Sequence, residues 1–108
     1  MEINEYQKLA MRTLNTNIKK EDILVNGAMG LCGESGEVID LIKKYLFQGH
    51  DLNKEDIIKE LGDIAWYLAE TATALDVNLE EVFIKNIEKL KKRFPDGFDS
   101  TKSINREE

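Results

Sequence analysis

The only proline of this 108-residue chain is Pro95, and its position constrains the fold more than any other single feature. A proline inside a helix removes a backbone hydrogen bond and clashes with the preceding turn, so nothing before residue 95 forbids long helices. Apolar residues recur there at helical spacing, and no stretch alternates apolar and polar residues between turn signals as a strand does. The sequence therefore predicts an all-α fold, an antiparallel bundle of about four helices.

The limits of these helices follow from the periodicity and its stop signals. We predict helices at about residues 3–16, 22–48, 54–75 and 79–93. Gly49 indicates the end of the second helix, and Asn53 can cap the third. The pair Asn26-Gly27 is also compatible with a turn, which leaves the start of the second helix open.

The fourth helix and the C-terminal segment carry signals of their own. Asn78, followed three residues later by Glu81, resembles a capping box, and Pro95 marks the end of the helix that it opens. The last residues are polar, as expected of a mobile segment. We therefore expect one domain over residues 1–99 and a mobile polar tail over residues 100–108.

The composition disfavours some classes of partner and indicates the compartment of the protein. With 15 basic and 21 acidic residues the formal net charge is −6, which disfavours nucleic acid as a bulk partner. The single cysteine, Cys32, excludes an internal disulfide and suits a reducing cytosol. The acidic N-terminal residues do not resemble a signal peptide, and the run Ile64–Ala69 is far shorter than the roughly 20 residues of a membrane helix. We therefore expect a cytoplasmic, soluble protein with no membrane partner.

Four carboxylates stand in two pairs of equal spacing. Glu34 and Glu37 lie three residues apart on the second predicted helix, and Glu60 and Asp63 lie three apart on the third. Residues three apart share a helix face, so two such helices packed together would place four oxygen ligands around one space. Mg²⁺ is bound by carboxylates, waters and substrate phosphates. The spacing thus indicates a Mg²⁺ site, with Mn²⁺ as the alternative ion, for chemistry on phosphate groups.

The helical wheel tests whether these acids are ordinary surface charges. At about 100° per residue, Glu34 falls inside the apolar arc of its helix and Glu37 falls at the margin. Glu60, Asp63 and Tyr67 form a polar strip along one edge of the apolar face of the third helix. A carboxylate within an apolar face is costly unless a cation or a hydrogen-bond donor meets it, which favours a site. The alternative is that such pairs arise by chance on the flanks of helices.

Three glycines, Gly33, Gly36 and Gly62, flank the acids inside the helical patterns. Each costs about 1 kcal/mol relative to alanine in a helix interior. Close approach of a helix or a ligand to the backbone would explain them; simple tolerance is the alternative.

A polar stripe on the fourth predicted helix is the candidate for substrate contacts. Asn86, Lys89 and Arg93 fall on one face, and lysine and arginine suit phosphate oxygens in different geometries. A solvated helix surface is the alternative. Tyr67 and its neighbour Trp66 could contact a base, with core packing as the default for Trp66.

Three motifs, taken in order, resemble the MazG-like members of the all-α nucleoside triphosphate pyrophosphohydrolase superfamily. They are Gly33-Glu34-Ser35-Gly36-Glu37-Val38, then Lys59-Glu60-Leu61-Gly62-Asp63-Ile64, then Asn86-Ile87-Glu88-Lys89-Leu90 running into Arg93-Phe94-Pro95-Asp96-Gly97-Phe98. Each motif alone is weakly specific, but the ordered set covers nearly the whole chain and is strong.

The resemblance implies an activity and leaves its substrate open. It implies hydrolysis of an NTP or dNTP between the α- and β-phosphates, giving a nucleoside monophosphate and pyrophosphate with Mg²⁺. By the same resemblance Glu34, Glu37, Glu60 and Asp63 would hold the metal ions, and one of them would take a proton from the attacking water. A house-cleaning enzyme, a relative restricted to dCTP, dUTP or phosphoribosyl-ATP, and a non-catalytic oligomer that binds nucleotide or metal all remain open.

The apolar arc of the second helix bears on assembly. It is about 180° wide, whereas one neighbouring layer covers a stripe of about 100°. So few helices leave apolar surface that needs a partner, and the relatives implied by the resemblance generally act as dimers or tetramers. We therefore predict a homo-oligomer, a dimer or a tetramer, with the site on or near the interface.

Overall fold

The structure, a computed structural model, describes residues 1–106 and is helical throughout. Its helices are α1 (Ile3–Ala10), α2 (Lys20–Phe47), α3 (Lys54–Ala74), α4 (Leu79–Arg93) and α5 (Ser100–Ile104), with a 3₁₀ helix at Met11–Thr13 after α1. No strand occurs in the described residues, which confirms the predicted all-α class. None of the described helices is long and apolar enough to cross a membrane.

Helices α2 and α3 form a long antiparallel hairpin, the largest unit of the structure. Glycines on α2 allow the two backbones to approach closely. A Cβ added at Gly27 would overlap the Thr71 hydroxyl and lie 3.2 Å from the Thr71 backbone nitrogen, and one added at Gly30 would overlap the Tyr67 ring. Asn26-Gly27 therefore lies inside α2 as a packing element, and the alternative of a turn there is wrong.

The ends of this hairpin match the stop and start signals in the sequence. Gly49 adopts a left-handed φ of +72°, and the N–H of His50 donates to the carbonyl of Lys44 at 3.1 Å, as in a glycine-terminated helix. Asn53 accepts a hydrogen bond from the Asp56 backbone N–H at 3.2 Å. Both predicted boundaries are confirmed.

Helix α4 begins at Leu79, as predicted, but the way in which its start is capped is a correction. The side chain of Asn78 makes no capping hydrogen bond, so the predicted capping box with Glu81 is wrong. The first amides of α4 are instead satisfied from α1: Gln7 Oε1 accepts from Leu79 N–H at 2.7 Å, and Asn4 Oδ1 accepts from the next amide at 3.2 Å. Tertiary acceptors thus replace the local cap and tie α1 to α4.

Helix α1 ends earlier than predicted, at Ala10, and the chain continues as a short 3₁₀ turn to Thr13. The Trp66 indole N–H lies within hydrogen-bonding distance of the Ala10 carbonyl (3.0 Å) and Thr13 Oγ1 (2.9 Å). Thr13 itself donates to the Ala10 carbonyl at 2.8 Å. The tightened turn is therefore held by α3, a long-range contact that periodicity does not reveal.

The buried core is small and lies where α1, α3 and α4 meet. Ala69, Ala72 and Leu79 are buried, and Ile3 and Tyr6 of α1 pack against them. The radius of gyration is 16.9 Å, whereas a compact domain of this length has about 13 Å. Several large apolar side chains of the hairpin and of α4 are exposed in the single chain.

The C-terminal segment contains a helix that the sequence did not indicate. Asp99 accepts hydrogen bonds from the amides of Thr101 and Lys102 and so caps α5. Within the tail predicted to be mobile, residues 100–104 are therefore helical, and residues 107–108 lie outside the described residues. The domain boundary at residue 99 stays a prediction.

Candidate metal centre

Three carboxylates meet at the seam between α2 and α3. Glu34 of α2 and Glu60 and Asp63 of α3 each offer one oxygen, and these oxygens all lie within 4.8 Å of one another. The antiparallel register that sets Gly30 against Tyr67 brings the next turn of α2 opposite the preceding turn of α3. The sequence prediction that acids of the two helices converge is met for these three residues.

The electrostatics of this carboxylate cluster, as we call Glu34, Glu60 and Asp63, are unfavourable without a cation. Oε2 of Glu60 is buried and receives no hydrogen bond from the described residues. The pKa of Glu60 is raised above its ordinary value, first by hydrogen bonding with the Glu34 carboxyl, then by burial and by the negative charges of the neighbouring acids. The cluster therefore resists full ionisation, and a bound divalent cation would remove that resistance.

Glu37, the fourth predicted ligand, is not among the converging residues. It is exposed one turn beyond Glu34 on α2. The pKa of Lys44 is raised mainly by its hydrogen bond to Asp40, with a smaller contribution from the charge of Glu37. The role of Glu37 as a ligand stays a prediction.

An open cavity of about 360 Å³ adjoins the cluster. It is lined by Glu34, Asp63, Trp66 and Tyr67. The two aromatic rings pack edge to face with centroids 5.1 Å apart. Trp66 is thus a wall of this cavity as well as an anchor for the turn after α1, whereas the sequence made core packing the default for it. Tyr67, predicted as a substrate contact, lies beside the carboxylates.

The charge of the carboxylate cluster also affects Tyr6 of α1, which no sequence pattern singled out. The pKa of Tyr6 is raised, mainly by burial and further by the negative charge of Asp63. No spacing rule links residues 6 and 63, since they come together only when α1 packs on α3. Periodicity places Tyr6 on the apolar face of α1 but not near the acids.

A fully buried carboxylate, that of Glu70, continues the same seam. Glu70 is 1% exposed, and Nδ2 of Asn26 lies 2.9 Å from each of its two oxygens. Glu70 follows Asp63 by seven residues and so lies on the same stripe of α3. The seven-residue spacing from Asp63 is the sequence signal that could have identified Glu70. Its partner Asn26 could not be identified in this way, because Asn26-Gly27 is also compatible with a turn.

The predicted substrate stripe on α4 is not brought to the carboxylate cavity within one protomer. Asn86 and Lys89 are exposed, and Arg93 is half-buried in a different cavity, next to α5. Close approach of a helix or ligand was one explanation for three glycines near the acids, but a Cβ at Gly33, Gly36 or Gly62 would meet none of the described residues within 4 Å. The close approaches occur at Gly27 and Gly30 instead.

Comparisons with known proteins agree with this arrangement. The family model of the MazG nucleotide pyrophosphohydrolase domain matches residues 27–98, two thirds of the chain. The Gene 37 protein of Mycobacterium phage L5 is 42% identical over an alignment of 69 residues, and the match covers 60% of this chain and 60% of that protein. The chain thus spans 60% of the length of that curated relative. No solved structure matches the chain. The matched segment contains the whole carboxylate cluster, and the chain belongs to the MazG nucleotide pyrophosphohydrolase domain family.

Proposed function

We propose that this protein is a Mg²⁺-dependent nucleoside triphosphate pyrophosphohydrolase, which cleaves an NTP or dNTP between the α- and β-phosphates. The products are a nucleoside monophosphate and pyrophosphate. The observation that carries the proposal is the convergence of oxygens of Glu34, Glu60 and Asp63 within 4.8 Å, in a chain of this family.

The donor set fits a hard divalent cation. All three converging groups are carboxylates, which suit Mg²⁺ or Mn²⁺, and the described residues offer no histidine or cysteine in the group. The unpartnered Oε2 of Glu60 is an acceptor that a cation would satisfy. Glu37, one turn away, is the proposed fourth ligand. The cation would supply charge neutralisation on the phosphate oxygens and on the leaving pyrophosphate.

The protein's own groups would then orient the reactants. A carboxylate of the set accepts a proton from the attacking water, which must lie in line with the leaving pyrophosphate. Trp66 and Tyr67 offer aromatic surface to the nucleoside next to the carboxylates. Asn86, Lys89 and Arg93 are the proposed phosphate contacts. Because they do not line the carboxylate cavity of their own protomer, we assign them to the site of a neighbouring subunit.

That assignment requires assembly, and the protomer has the surface for it. Met29 is 69% exposed and Ile39 is 61% exposed on α2, and apolar residues of α4 are also exposed. Apolar area of this extent is typical of a protein–protein interface. We propose a dimer or tetramer in which hairpins of different subunits complete an antiparallel bundle. The exposed thiol of Cys32 suits the reducing cytoplasm, where we place the activity.

A substrate panel tests this function. The protein should release pyrophosphate, and no orthophosphate as first product, from at least one NTP or dNTP with Mg²⁺ or Mn²⁺. Hydrolysis of several nucleotides would support a house-cleaning role, and hydrolysis of one alone would identify a substrate-restricted relative. Full activity in EDTA, or orthophosphate as first product, would refute the mechanism. Tight nucleotide binding without turnover would indicate a non-catalytic binding protein.

A further inference from the structure

The ring of Tyr67 lies directly against the backbone of α2 at Gly30. A Cβ added at Gly30 would overlap three atoms along one edge of this ring, Cγ, Cδ1 and Cε1. Rotation about the bond between Cβ and Cγ leaves Cγ in place, so turning the ring would not remove the overlap. Any side chain at position 30 must therefore displace the whole ring of Tyr67 or push α2 away from α3.

The neighbours of the ring determine where it can go. Trp66 packs against it edge to face, with the ring centroids 5.1 Å apart. The Trp66 indole N–H lies within hydrogen-bonding distance of the Ala10 carbonyl and of Thr13 Oγ1, so Trp66 is itself held in place by the turn after α1. The open side of the Tyr67 ring is the cavity of about 360 Å³ that both rings line. A displaced Tyr67 ring would therefore enter this cavity.

The contact between Gly30 and Tyr67 is one helical turn away from the carboxylate cluster. Gly30 and Glu34 are four residues apart on α2, and Asp63 and Tyr67 are four residues apart on α3. Residues four apart share a helix face, so the two pairs form successive layers of one seam. The distance between the Tyr67 ring and the backbone of α2 thus sets the space that is left beside the carboxylates.

We propose that Gly30 is a positioning residue for the nucleoside of the substrate. By letting the Tyr67 ring lie against α2, it keeps open the part of the cavity in which the nucleoside stacks. The identity of the substrate rests on the proposed function, but Gly30 itself is not among the residues that line the cavity. Gly27 provides a comparison, since it makes a similar close contact with Thr71 and neither residue lines the cavity.

Binding of nucleotides that cannot be hydrolysed tests the proposal without turnover. The probes, all with Mg²⁺, are the α,β-methylene analogues of ATP, GTP, CTP and UTP, and inorganic tripolyphosphate as a phosphate chain without a nucleoside. Gly30→Ala should weaken binding of the analogue that the wild type prefers about tenfold, as for loss of stacking of one base, and leave tripolyphosphate binding unchanged. Gly27→Ala adds the same methyl group to the same pair of helices and should leave both affinities unchanged.

The fluorescence of Trp66, the only tryptophan of the chain, reports on the two rings in the free protein. Its emission should change in Gly30→Ala, where the Tyr67 ring moves relative to it, and stay the same in Gly27→Ala. If Gly30→Ala does not fold, its combination with Tyr67→Leu removes the overlap. The double variant should then bind the analogue as weakly as Tyr67→Leu alone, because the glycine acts through the ring.

Several results would overturn the proposal. Equal weakening in Gly27→Ala, weaker tripolyphosphate binding in Gly30→Ala, or a double variant that binds more weakly than Tyr67→Leu would mean that Gly30 acts through helix packing. Unchanged analogue binding in Gly30→Ala, or no binding of any analogue by the wild type, would also overturn it. The expected pattern of binding, together with no release of pyrophosphate from nucleoside triphosphates, would refute the hydrolase and leave the role of Gly30 supported.

Discussion

The carboxylate cluster and a basic cavity, lined mainly by lysine and arginine between the end of α4 and α5, concentrate opposite charges, and they are assembled in different ways. Glu34 and Asp63 meet across the α2–α3 seam although 29 positions separate them, while the basic cavity draws all its lining residues from positions 92–106. The seam is fixed by close backbone packing at Gly27 and Gly30. The basic end is fixed by a glycine turn, the packing of two phenylalanine rings and one capping aspartate.

This difference has a physical consequence for each region. In the seam the acids are held together by packing whether or not a cation is present, so their repulsion is built into the apo protein. At the basic end the interactions that order the chain are local, since they join residues within positions 94–102. We therefore expect a metal ion to change the chemistry of the first region without changing its fold.

The largest expected effect is on turnover, and it compares Asp63, one of the three converging acids, with Glu37. Asp63→Asn keeps the size of the side chain but removes one ligand charge, and should lower kcat/KM at least about a hundredfold with the helical content unchanged. Glu37→Gln should have an effect of the same order if Glu37 joins the metal site on loading. Steady-state pyrophosphate release with Mg²⁺ measures both, and Glu21→Gln, on the same helix outside the cluster, is the control.

Unequal losses of turnover in Asp63→Asn and Glu37→Gln would show which carboxylates are ligands of the metal ion. A large loss in Asp63→Asn with near-normal Glu37→Gln would restrict the ligand set to Glu34, Glu60 and Asp63. Near-normal turnover in both variants would show that the cluster is not catalytic.

The next largest effect concerns whether the α4 stripe of a neighbouring subunit reaches the carboxylate cluster in an oligomer. Ile39 lies in an apolar groove of about 370 Å³ on the outer face of α2 and is 61% exposed. Ile39→Asp should place an unpaired charge in the subunit interface and dissociate the assembly. Activity should fall with it, because the α4 stripe of a neighbouring subunit would no longer reach the carboxylates.

Sedimentation velocity at low micromolar concentration, with activity measured on the same samples, checks this. Ile18→Asp makes the same change at an exposed residue before α2 and should leave both readings unaltered. A fully active 12.4 kDa monomer, in the wild type or in Ile39→Asp, would contradict the shared site.

A smaller effect follows from the raised pKa of Glu60. The folded apo protein binds this proton more tightly than the unfolded chain, so the contribution of Glu60 favours folding at pH below its ordinary value and is lost as pH rises through the raised pKa. Glu60→Gln should remove this decline and raise the midpoint of thermal unfolding of the apo protein at neutral pH. Mg²⁺ should stabilise the wild type more than the variant. A lower midpoint for the apo variant at every pH would show that Glu60 has a structural role.

The sequence predicted what local spacing determines and missed what tertiary packing decides. The period of the apolar residues gave the class and the limits of α3 and α4, and the three-residue spacing of the acids indicated the cluster. Trp66 as a cavity wall, Tyr6 near Asp63 and the pair formed by Asn26 and Glu70 depend on contacts between distant segments. Single-helix patterns contain no information about such contacts.

The glycines illustrate the same limit. In a helical pattern, glycine indicates close approach but not the partner. Gly33, Gly36 and Gly62 were candidates for close approach because they flank the acids. A Cβ added at any of them would meet none of the described residues within 4 Å. Gly30, which contacts the Tyr67 ring, lies about one turn before Gly33, and Gly27, which contacts the α3 backbone at Thr71, lies about two turns before it. The register between the helices rather than the motif selects them.

The smallest expected effect compares the starts of the helices that lead to the two regions. Asn53 caps α3 with its own side chain, whereas the amides at the start of α4 are satisfied by Gln7 and Asn4 of α1. Asn53→Ala should therefore lower the free energy of unfolding by about 1 kcal/mol, and Asn78→Ala by less than about 0.5 kcal/mol. Urea unfolding of the wild type and the three variants at one protein concentration measures the difference. Gln7→Ala, which removes the acceptor of the Leu79 amide, should lower the free energy of unfolding more than Asn78→Ala does. If Asn78→Ala costs as much as Asn53→Ala, α4 has a local cap after all, and its start does not depend on α1.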